Sequence, residues 1–310
     1  MQKLFRNFYQ TDLLVVAFYL IISLISIIFH YRIEQWYQLV ILAIFIIVFV
    51  FWISNKGRNS KKIFWRNVHF YYVVPLIFIS FKVIYVLVGS LHTTDYDNIL
   101  IEIDRFLLGV DPTVFLYQYS SPVLTELLQI AYGTFFFLPI ILGLEFHLKG
   151  EYKKFQFIVF SVVLGFFLSY FGYFIFPAVG PRFTLHDFDT TNLELPGLLL
   201  TNFLRDIVNA GESIPKGIAN PIDFVQRDVF PSGHTQMTLI VIYLSYKLKS
   251  SYRLFFLIDG SLLIIATVYL RYHYVIDLFG GLIFMIATMY FGKKIYNWWQ
   301  LKLNKEKFEY

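Results

Sequence analysis

The sequence predicts an all-α integral membrane protein with about eight transmembrane helices and one or two interfacial helices. Two observations predict this class. Hydrophobic residues make up 57% of the 310 residues and charged residues only 15%, whereas about a quarter of a soluble domain is charged. The apolar residues also cluster in runs of roughly 17–22 residues, the length of helix that crosses a hydrocarbon core of about 30 Å.

The predicted spans cover residues 13–29, 36–54, 70–90, 124–144, 155–176, 232–247, 254–270 and 274–291. The first is interpreted as a retained helix, since HYRIEQW follows it in place of the cleavage site of a signal peptide. This order predicts a two-helix membrane segment at 1–69, the main membrane domain at 70–292 and a basic tail at 293–310. The chain has no cysteine, which excludes disulfides, thiolate catalysis and cysteine-bound metals.

Lysine and arginine are distributed unevenly between the connections. Eighteen of the 26, among them Lys3, Arg6 and Lys305, lie in the two termini and in the connections on the same side of the membrane as the termini. Seven lie in the connections on the opposite side, and Lys82 lies within a span. Positive residues are enriched on the cytoplasmic side of membrane proteins. Both termini are therefore predicted to be cytoplasmic, in a plasma, inner or secretory-pathway membrane. Residues 230–234 and 271–274 are predicted to face the extracytoplasmic side.

Two long connections, residues 91–121 and 177–231, lie on that same predicted side. Loops of such length are uncommon without a function. In the first, DNILIEIDRFLLGVDP has apolar residues at helical spacing. In the second, one helical face is formed by Leu199, Phe203 and Leu204, with Leu200 and Ile207 beside it. Each connection is therefore predicted to contain an amphipathic helix on the membrane surface.

The stretch RYHYVIDLFGG places His273 and Asp277 four residues apart at the start of the last span. Residues at i and i+4 share a helix face, so Asp277 can accept a hydrogen bond from one imidazole nitrogen and leave the other free as a nucleophile or base. A helix-capping acid beside an interfacial histidine is the alternative. The position of Asp277 one turn into a membrane helix favours the functional interpretation over helix capping, because acids within membrane helices are rare and usually functional.

Two further stretches carry polar residues at span ends. In FPSGHTQ, Ser232 is a candidate N-cap, Gly233 allows backbone to approach a ligand, and the helix start would attract an anion. His234 at the same place could protonate a leaving group. In FPAVGPRF, a stiff turn presents Arg182, whose guanidinium can grip a phosphate. The alternatives are an ordinary capped helix and a solvated loop arginine.

Together the three stretches supply a cation, an anion-binding helix start, two histidines and an orienting carboxylate, a set suited to phosphoryl transfer through a histidine without metal or cofactor. The order arginine, PSGH and His-x-x-x-Asp resembles the type 2 phosphatidic acid phosphatase (PAP2) superfamily. FPAVGPRF, YLRYHYVIDLFGG and IEIDRFLLGVDP look most similar to its inositolphosphotransferase branch, the relatives of fungal inositol phosphorylceramide synthase. The resemblance covers residues 97–281 and implies a PAP2-like helical core.

The resemblance implies a role for each site residue. His273 would be the nucleophile that forms a phosphohistidine, and Asp277 would orient it. His234 would be the general acid and then the base for the acceptor. The phosphate oxygens would be held by Arg182, Ser232 and Gly233.

The sequence departs from the superfamily pattern at two cations. Ile175 and Thr267 stand where the pattern has lysine and arginine. Arg271, two residues before His273, is a candidate to replace one of them. Lys82 is a candidate to replace the other, because a lysine within a membrane span is a functional candidate. A side chain that snorkels toward the surface is the alternative for Lys82. The superfamily that the chain resembles also includes vanadium haloperoxidases and lipid phosphatases. These departures disfavour a haloperoxidase and a phosphatase of broad specificity.

The implied function is a membrane phosphotransferase that moves a phosphoryl or phosphoinositol-type head group from a phospholipid to an acceptor alcohol. Its predicted partners are the lipid substrate, the acceptor alcohol or water, and the bilayer, with no nucleic acid. Three alternatives stay open: a phosphatase acting on phosphatidate or a polyprenyl diphosphate, a transporter with a His–Asp proton relay, and an inactive scaffold. A transporter's site is expected near the midplane, whereas these residues gather at one predicted face.

Overall fold

The computed structural model describes residues 7–303 and 306–309. Residues 1–6, 304–305 and 310, and with them Lys3, Arg6 and Lys305 of the predicted cytoplasmic set, lie outside the described residues. The described residues form helices and connecting turns, and no β-strand occurs among them. The all-α prediction is confirmed for this part of the chain.

The longer helices follow the chain in this order: α1 Gln10–Ile28, α2 Trp36–Asn59, α3 Ile63–Tyr71, α4 Val73–Leu91, α5 Asp97–Leu108, α6 Pro112–Tyr117, α7 Pro122–Gly133, α8 Phe137–Leu148, α9 Tyr152–Ile175, α10 Thr201–Gly211, α11 Gly233–Lys247, α12 Arg253–Tyr269 and α13 Val275–Lys302. Single helical turns at Pro181–Thr184, Thr191–Glu194 and Pro221–Asp223 interrupt the long connection between α9 and α11.

The chain forms two compact units. The first contains Met1–Leu91, Phe146–Leu168 and Ala287–Tyr310, and the second contains His92–Glu145 and Ser169–Ile286. The three segments predicted from the sequence, 1–69, 70–292 and 293–310, stay a prediction. The three polar stretches that carry Arg182, His234 and His273 belong to the second unit, whereas Lys82 belongs to the first.

Several helices are long and apolar enough to cross a membrane. Within the described residues these are α1, α2, α3 with α4, α9 and α13. The pair α7 and α8, bent by 50°, is a sixth candidate. The helices α11 and α12 have 15 and 17 residues, fewer than the about 20 that span a bilayer without thinning it. The structure supports an integral membrane protein, while the count of eight spans stays a prediction.

The first unit contains a buried carboxylate, that of Asp12, which contacts three neighbouring residues. Asp12, near the start of α1, accepts hydrogen bonds from the backbone N–H of Tyr9 at 2.7 Å and from the Tyr72 hydroxyl at 2.8 Å. His69 Nε2 lies 2.8 Å from the same carboxylate. A buried polar group is stable only when it is hydrogen-bonded, and these contacts connect the start of α1 with α3 and α4.

Both helices predicted in the long connections are present, in the second unit. α5 ends at Gly109, whose φ of 73° is the left-handed conformation that favours glycine at a helix end. The start of α10 is capped by Glu126, whose carboxylate accepts from the backbone N–H of Leu198 and Leu200 at 2.8 and 2.6 Å. On α10 the predicted apolar residue Phe203 is 62% exposed, as a helix on a membrane surface requires.

Candidate functional site

His273 and Asp277 lie where α12 passes into α13. The connection from Tyr269 to Val275 brings His273 Nδ1 to 3.3 Å from Asp277 Oδ2. The same oxygen accepts a hydrogen bond from the backbone N–H of Tyr274 at 2.8 Å, an amide that the helix start leaves unpaired. Both side chains are buried, with 4% of His273 and 0% of Asp277 exposed. The two residues are in contact, and the acid also caps the helix.

His234 lies in the first turn of α11. Ser232 caps this helix, because its hydroxyl accepts a hydrogen bond from the backbone N–H of Thr235 at 3.2 Å. His234 Nδ1 lies 3.4 Å from His273 Nε2, and its ring stacks on Tyr132 with 4.5 Å between the centroids. The two histidines therefore meet although 39 residues separate them in the chain.

Glycines allow the close approach that brings the histidines together. A Cβ on Gly281 of α13 would lie 2.7 Å from the carbonyl oxygen of Ser232. A Cβ on Gly233 would collide with the Tyr173 hydroxyl. The backbone N–H of Ser232 also donates to the carbonyl of Asp277 at 3.0 Å. Packing of α11 directly against the backbone of α13 thus sets the distance between the two imidazoles.

Arg182 follows α9 and is held by its neighbours. Its backbone N–H donates to the carbonyl of Arg271 at 3.1 Å, and its guanidinium lies 5.0 Å from the ring centroid of Tyr272. The guanidinium forms an ion pair with Glu212 and donates to Asn209 Oδ1 at 3.0 Å. Only 4% of Arg182 is exposed, and burial lowers the pKa of its guanidinium. An incoming phosphate would compete with Glu212 for this cation.

A stack of rings connects His234 with Arg182. Tyr132, which stacks on His234, also stacks on Tyr272 with 4.4 Å between the centroids. The Arg182 guanidinium in turn lies over the ring of Tyr272. Phe135 packs against His234 with 4.2 Å between the ring centroids. No pattern in the sequence distinguishes these aromatic residues, since aromatic residues occur throughout the chain.

Two buried carboxylates on α5 hold the segments that carry the site. Asp97 accepts hydrogen bonds from the backbone N–H of Gly180 at 2.8 Å and from the Tyr274 hydroxyl at 2.7 Å. Asp104 accepts from the backbone N–H of Val275 and Ile276, both at 2.8 Å. Burial raises the pKa of each carboxyl, and the N–H donors lower it in part. Both acids lie in DNILIEIDRFLLGVDP, the stretch predicted to form a surface helix, but no role in the site was predicted for them.

The two predicted replacement cations lie in other surroundings. Arg271 is 1% exposed, forms an ion pair with Glu194, and its guanidinium lies 5.3 Å from the ring centroid of Tyr117. It forms neither a hydrogen bond nor an ion pair with any histidine of the described chain. Lys82 lies on α4 in the first unit, where its ammonium is 5.9 Å from the ring centroid of Phe81. Phosphate binding by these two residues stays a prediction.

The surroundings of His273 favour a neutral imidazole. Burial lowers the pKa of His273 to about 4; the carboxylate of Asp228 raises it in part, and the charge of Arg182 lowers it further. At neutral pH the ring therefore has an unprotonated nitrogen.

In residues 7–303 and 306–309 no group of three or more His, Cys, Asp or Glu side chains is arranged to hold a metal ion.

Comparisons with known proteins agree with this arrangement. A family model described as the PAP2 superfamily matches residues 98–291, more than half of the chain. The chain is also 33% identical over 140 residues to a PA-phosphatase related-family protein of Dictyostelium discoideum; the alignment covers 44% of this chain and 21% of that protein. The chain thus spans about a fifth of the length of this relative. No solved structure matches significantly. The region that contains Arg182, His234 and His273 lies within the family match, and the chain belongs to the PAP2 superfamily.

Proposed function

We propose that the chain is an integral membrane phosphotransferase that acts on a phospholipid at the extracytoplasmic face of the bilayer. It moves a phosphoryl or phosphoinositol-type head group to an acceptor alcohol through a phosphohistidine. Membership of the PAP2 superfamily suggests a phosphatase or phosphotransferase on lipid phosphates. The transferase reaction is our inference from the resemblance to the inositolphosphotransferase branch.

The proposed reaction has two steps. In the first, the lone pair of His273 Nε2 attacks phosphorus, the P–O bond to the lipid alcohol breaks, and His234 donates a proton to the departing oxygen. In the second, His234 takes a proton from the acceptor hydroxyl, whose oxygen attacks phosphorus while the P–N bond to His273 breaks. Arg182 and the start of α11, with Ser232 and Gly233, stabilise the phosphate oxygens. Asp277 orients His273 and stabilises its positive charge.

One observation carries this proposal. His273 has a carboxylate 3.3 Å from Nδ1 and the second histidine 3.4 Å from Nε2, so one nitrogen is oriented while the other points toward a proton donor. A purely structural histidine needs one hydrogen-bond partner and does not need a second titratable group at its other nitrogen. Phosphoryl transfer through a histidine needs both a group that orients one ring nitrogen and a proton donor near the other.

The test is to trap the phosphohistidine. Purified protein is mixed with a lipid phosphate labelled in its phosphorus, quenched within one turnover, and examined for a label that is stable in base and lost in acid. We expect the label on the wild type and none on His273→Ala. His186→Ala is the control: it removes a half-buried histidine that bonds Thr113 2.9 Å away, and it should retain the label. A labelled His273→Ala protein would overturn the mechanism.

Hydrolysis is the second candidate, favoured by the name of the Dictyostelium relative, a PA-phosphatase related-family protein. In that case water takes the place of the acceptor alcohol in the second step. Incubation of labelled lipid with and without inositol or ceramide separates the two. Transfer predicts a labelled lipid product that depends on the acceptor, whereas free phosphate as the only product would leave a phosphatase.

A further inference from the structure

A pocket of about 310 Å³ lies in the second unit beside the proposed site. Arg182 and Tyr272, which belong to the ring stack that leads to His234, also line this pocket, together with Arg205, Asn192, Asn209 and Lys216. The two histidines do not line it. Its volume is at the lower end of the range for small-molecule sites, large enough for the part of a head group that lies beyond the reacting phosphate.

Arg205 is a buried cation with neutral partners. It is 5% exposed, and its guanidinium donates to Asn192 Oδ1 at 2.6 Å and to the Leu195 carbonyl at 2.9 Å. No carboxylate of the described chain is within ion-pair distance of it. Burial lowers the pKa of this guanidinium. A buried charge is costly unless an opposite charge accompanies it, and Arg205 differs in this respect from Arg182, which has Glu212.

The hydroxyl of Tyr272 is the second observation. Tyr272 is 5% exposed, and its hydroxyl is buried against the Arg205 guanidinium. A guanidinium only donates hydrogen bonds, and the hydroxyl proton has no acceptor among the described residues. Buried hydroxyls nearly always have a partner. Arg205 and Tyr272, which line the same pocket, therefore leave a buried positive charge without a carboxylate and a hydroxyl proton without an acceptor among the described residues.

The type of ligand follows from these two groups. A guanidinium only donates hydrogen bonds, and a hydroxyl beside it can complete the same site by donating. The ligand must therefore supply acceptors and negative charge, as phosphate oxygens do, whereas a sugar hydroxyl would leave the charge uncompensated. The acids Asp189 and Asp206 also line the pocket, but they lie at its solvent side, where Asp206 is 3.1 Å from Lys216 Nζ and where charges are screened.

We propose that Arg205 and Tyr272 form a subsite for a second anionic group of the substrate, of the phosphate class, next to the phosphoryl group that reacts at His273. The inference rests on the proposed function. It predicts that the enzyme prefers lipids with a second phosphate over lipids with a single phosphate. The second phosphate binds at Arg205 and Tyr272 while the first stays within reach of Arg182.

The experiment compares two lipids that differ only in this group: a polyprenyl monophosphate and the polyprenyl diphosphate of the same chain length. kcat/KM is measured for both with the full-length protein in detergent micelles. We expect Arg205→Met to lower kcat/KM for the diphosphate about 10- to 100-fold more than for the monophosphate, the range for a lost hydrogen bond to a charged group. Lys216→Met, an exposed cation of the same pocket, should change the ratio less than about threefold.

Tyr272→Phe separates binding from folding. Because its hydroxyl proton has no acceptor among the described residues, its removal should change the melting temperature little, yet reduce the preference for the diphosphate about three- to tenfold. A variant that loses both substrates equally, or that keeps the wild-type ratio, would overturn the subsite. Arg205→Lys, which retains the charge, should recover part of the preference.

A separate arm distinguishes the failure of the subsite from the failure of the proposed function. If the wild type turns over neither these two lipids nor a labelled phospholipid supplied with an acceptor alcohol, the proposed function fails, but the subsite is still testable with inorganic pyrophosphate and inorganic phosphate in a thermal-shift measurement. Pyrophosphate should raise the melting temperature of the wild type and of Lys216→Met, and not that of Arg205→Met or Tyr272→Phe. No rise with pyrophosphate in the wild type would overturn the subsite. A rise with pyrophosphate but no preference among the lipids would assign the pocket to a free anion and would overturn the lipid-substrate part.

Discussion

Asp277 uses one oxygen for two neighbours, the imidazole of His273 at 3.3 Å and the backbone N–H of Tyr274 at 2.8 Å. This geometry makes Asp277 a positioning residue with a specific signature. Asp277→Asn retains an oxygen that can accept from Tyr274, so the melting temperature should change little. The amide cannot stabilise a positively charged imidazole, so kcat should fall about 100-fold or more. A variant with unchanged kcat would contradict the role of Asp277.

The pH dependence of the enzyme should reflect the burial of His273. Burial lowers the pKa of His273 to about 4 from the ordinary value of 6.5, and the neutral ring is the proposed nucleophile. The acid limb of kcat/KM should therefore lie near pH 4 and not near 6.5. Because the unfolded chain binds this proton more readily, the stability contributed by the neutral ring is present above pH 6.5 and is lost as the pH falls toward 4.

The same shift gives a control for the stability effect. In His273→Gln the titrating group is absent, so its melting temperature should decrease less than that of the wild type between pH 6.5 and 4, the interval between the two pKa values. Equal decreases in both proteins, or an acid limb near pH 6.5 in the wild type, would show that His273 titrates as an exposed histidine.

At the scale of elements, α5 contributes stability to the site through its buried acids. Asp104 accepts hydrogen bonds from two of the N–H groups that the start of α13 leaves without a helical partner, those of Val275 and Ile276. Asp104→Ala should lower the free energy of unfolding by about 1–2 kcal/mol, and kcat should fall with it because the start of α13 carries Asp277. Glu102→Gln, at an exposed position of the same helix, should be neutral in both measurements, and an equal effect of the two changes would exclude capping as the cause.

The packing of α11 against α13 depends on Gly281. A Cβ there would lie 2.7 Å from the carbonyl oxygen of Ser232 and 2.9 Å from Thr235 Cβ, and neither backbone nor helix core can move away easily. Gly281→Ala should lower the free energy of unfolding by about 1–3 kcal/mol and reduce kcat by separating the histidines.

Gly211, the last residue of α10, is the matched control for Gly281. Nothing lies within 4 Å of a Cβ at that position, so Gly211→Ala should be neutral or stabilising by up to about 1 kcal/mol. If Gly211→Ala and Gly281→Ala had equal effects on the melting temperature, close approach of the two helices would not explain the glycine of α13.

Local spacing predicted part of this site. The contact of His273 with Asp277 follows from the i to i+4 spacing, and Ser232 as the N-cap of α11 follows from its place before a helical run. The meeting of His234 with His273 could not be obtained in this way, because it depends on the packing of two helices distant in sequence. The anchoring acid Glu126 was also missed, since nothing near it in the chain indicates the amides that it caps.

At the scale of the whole molecule, hydropathy predicted the membrane class but could not determine the number of spans. α1, α2, α9 and α13 have 19 to 28 residues and overlap predicted spans, although α2 and α13 extend beyond the predicted ends at residues 54 and 291. The two predicted spans around the site correspond to α11 and α12, with 15 and 17 residues. Their sequence alone does not distinguish a short span from a buried helix, and the proposed sidedness of the site depends on this distinction.

The absence of cysteine from the chain makes this question directly testable. Single cysteines at Lys216 and Arg253, both exposed, lie before and after α11. If α11 crosses the membrane with the positive residues inside, a membrane-impermeant thiol reagent should label Lys216→Cys on intact cells and Arg253→Cys only after permeabilisation. The cysteine-free wild type is the background control. Labelling of both variants from the same side would mean that α11 does not cross, would reduce the number of spans, and would remove the basis for an extracytoplasmic site.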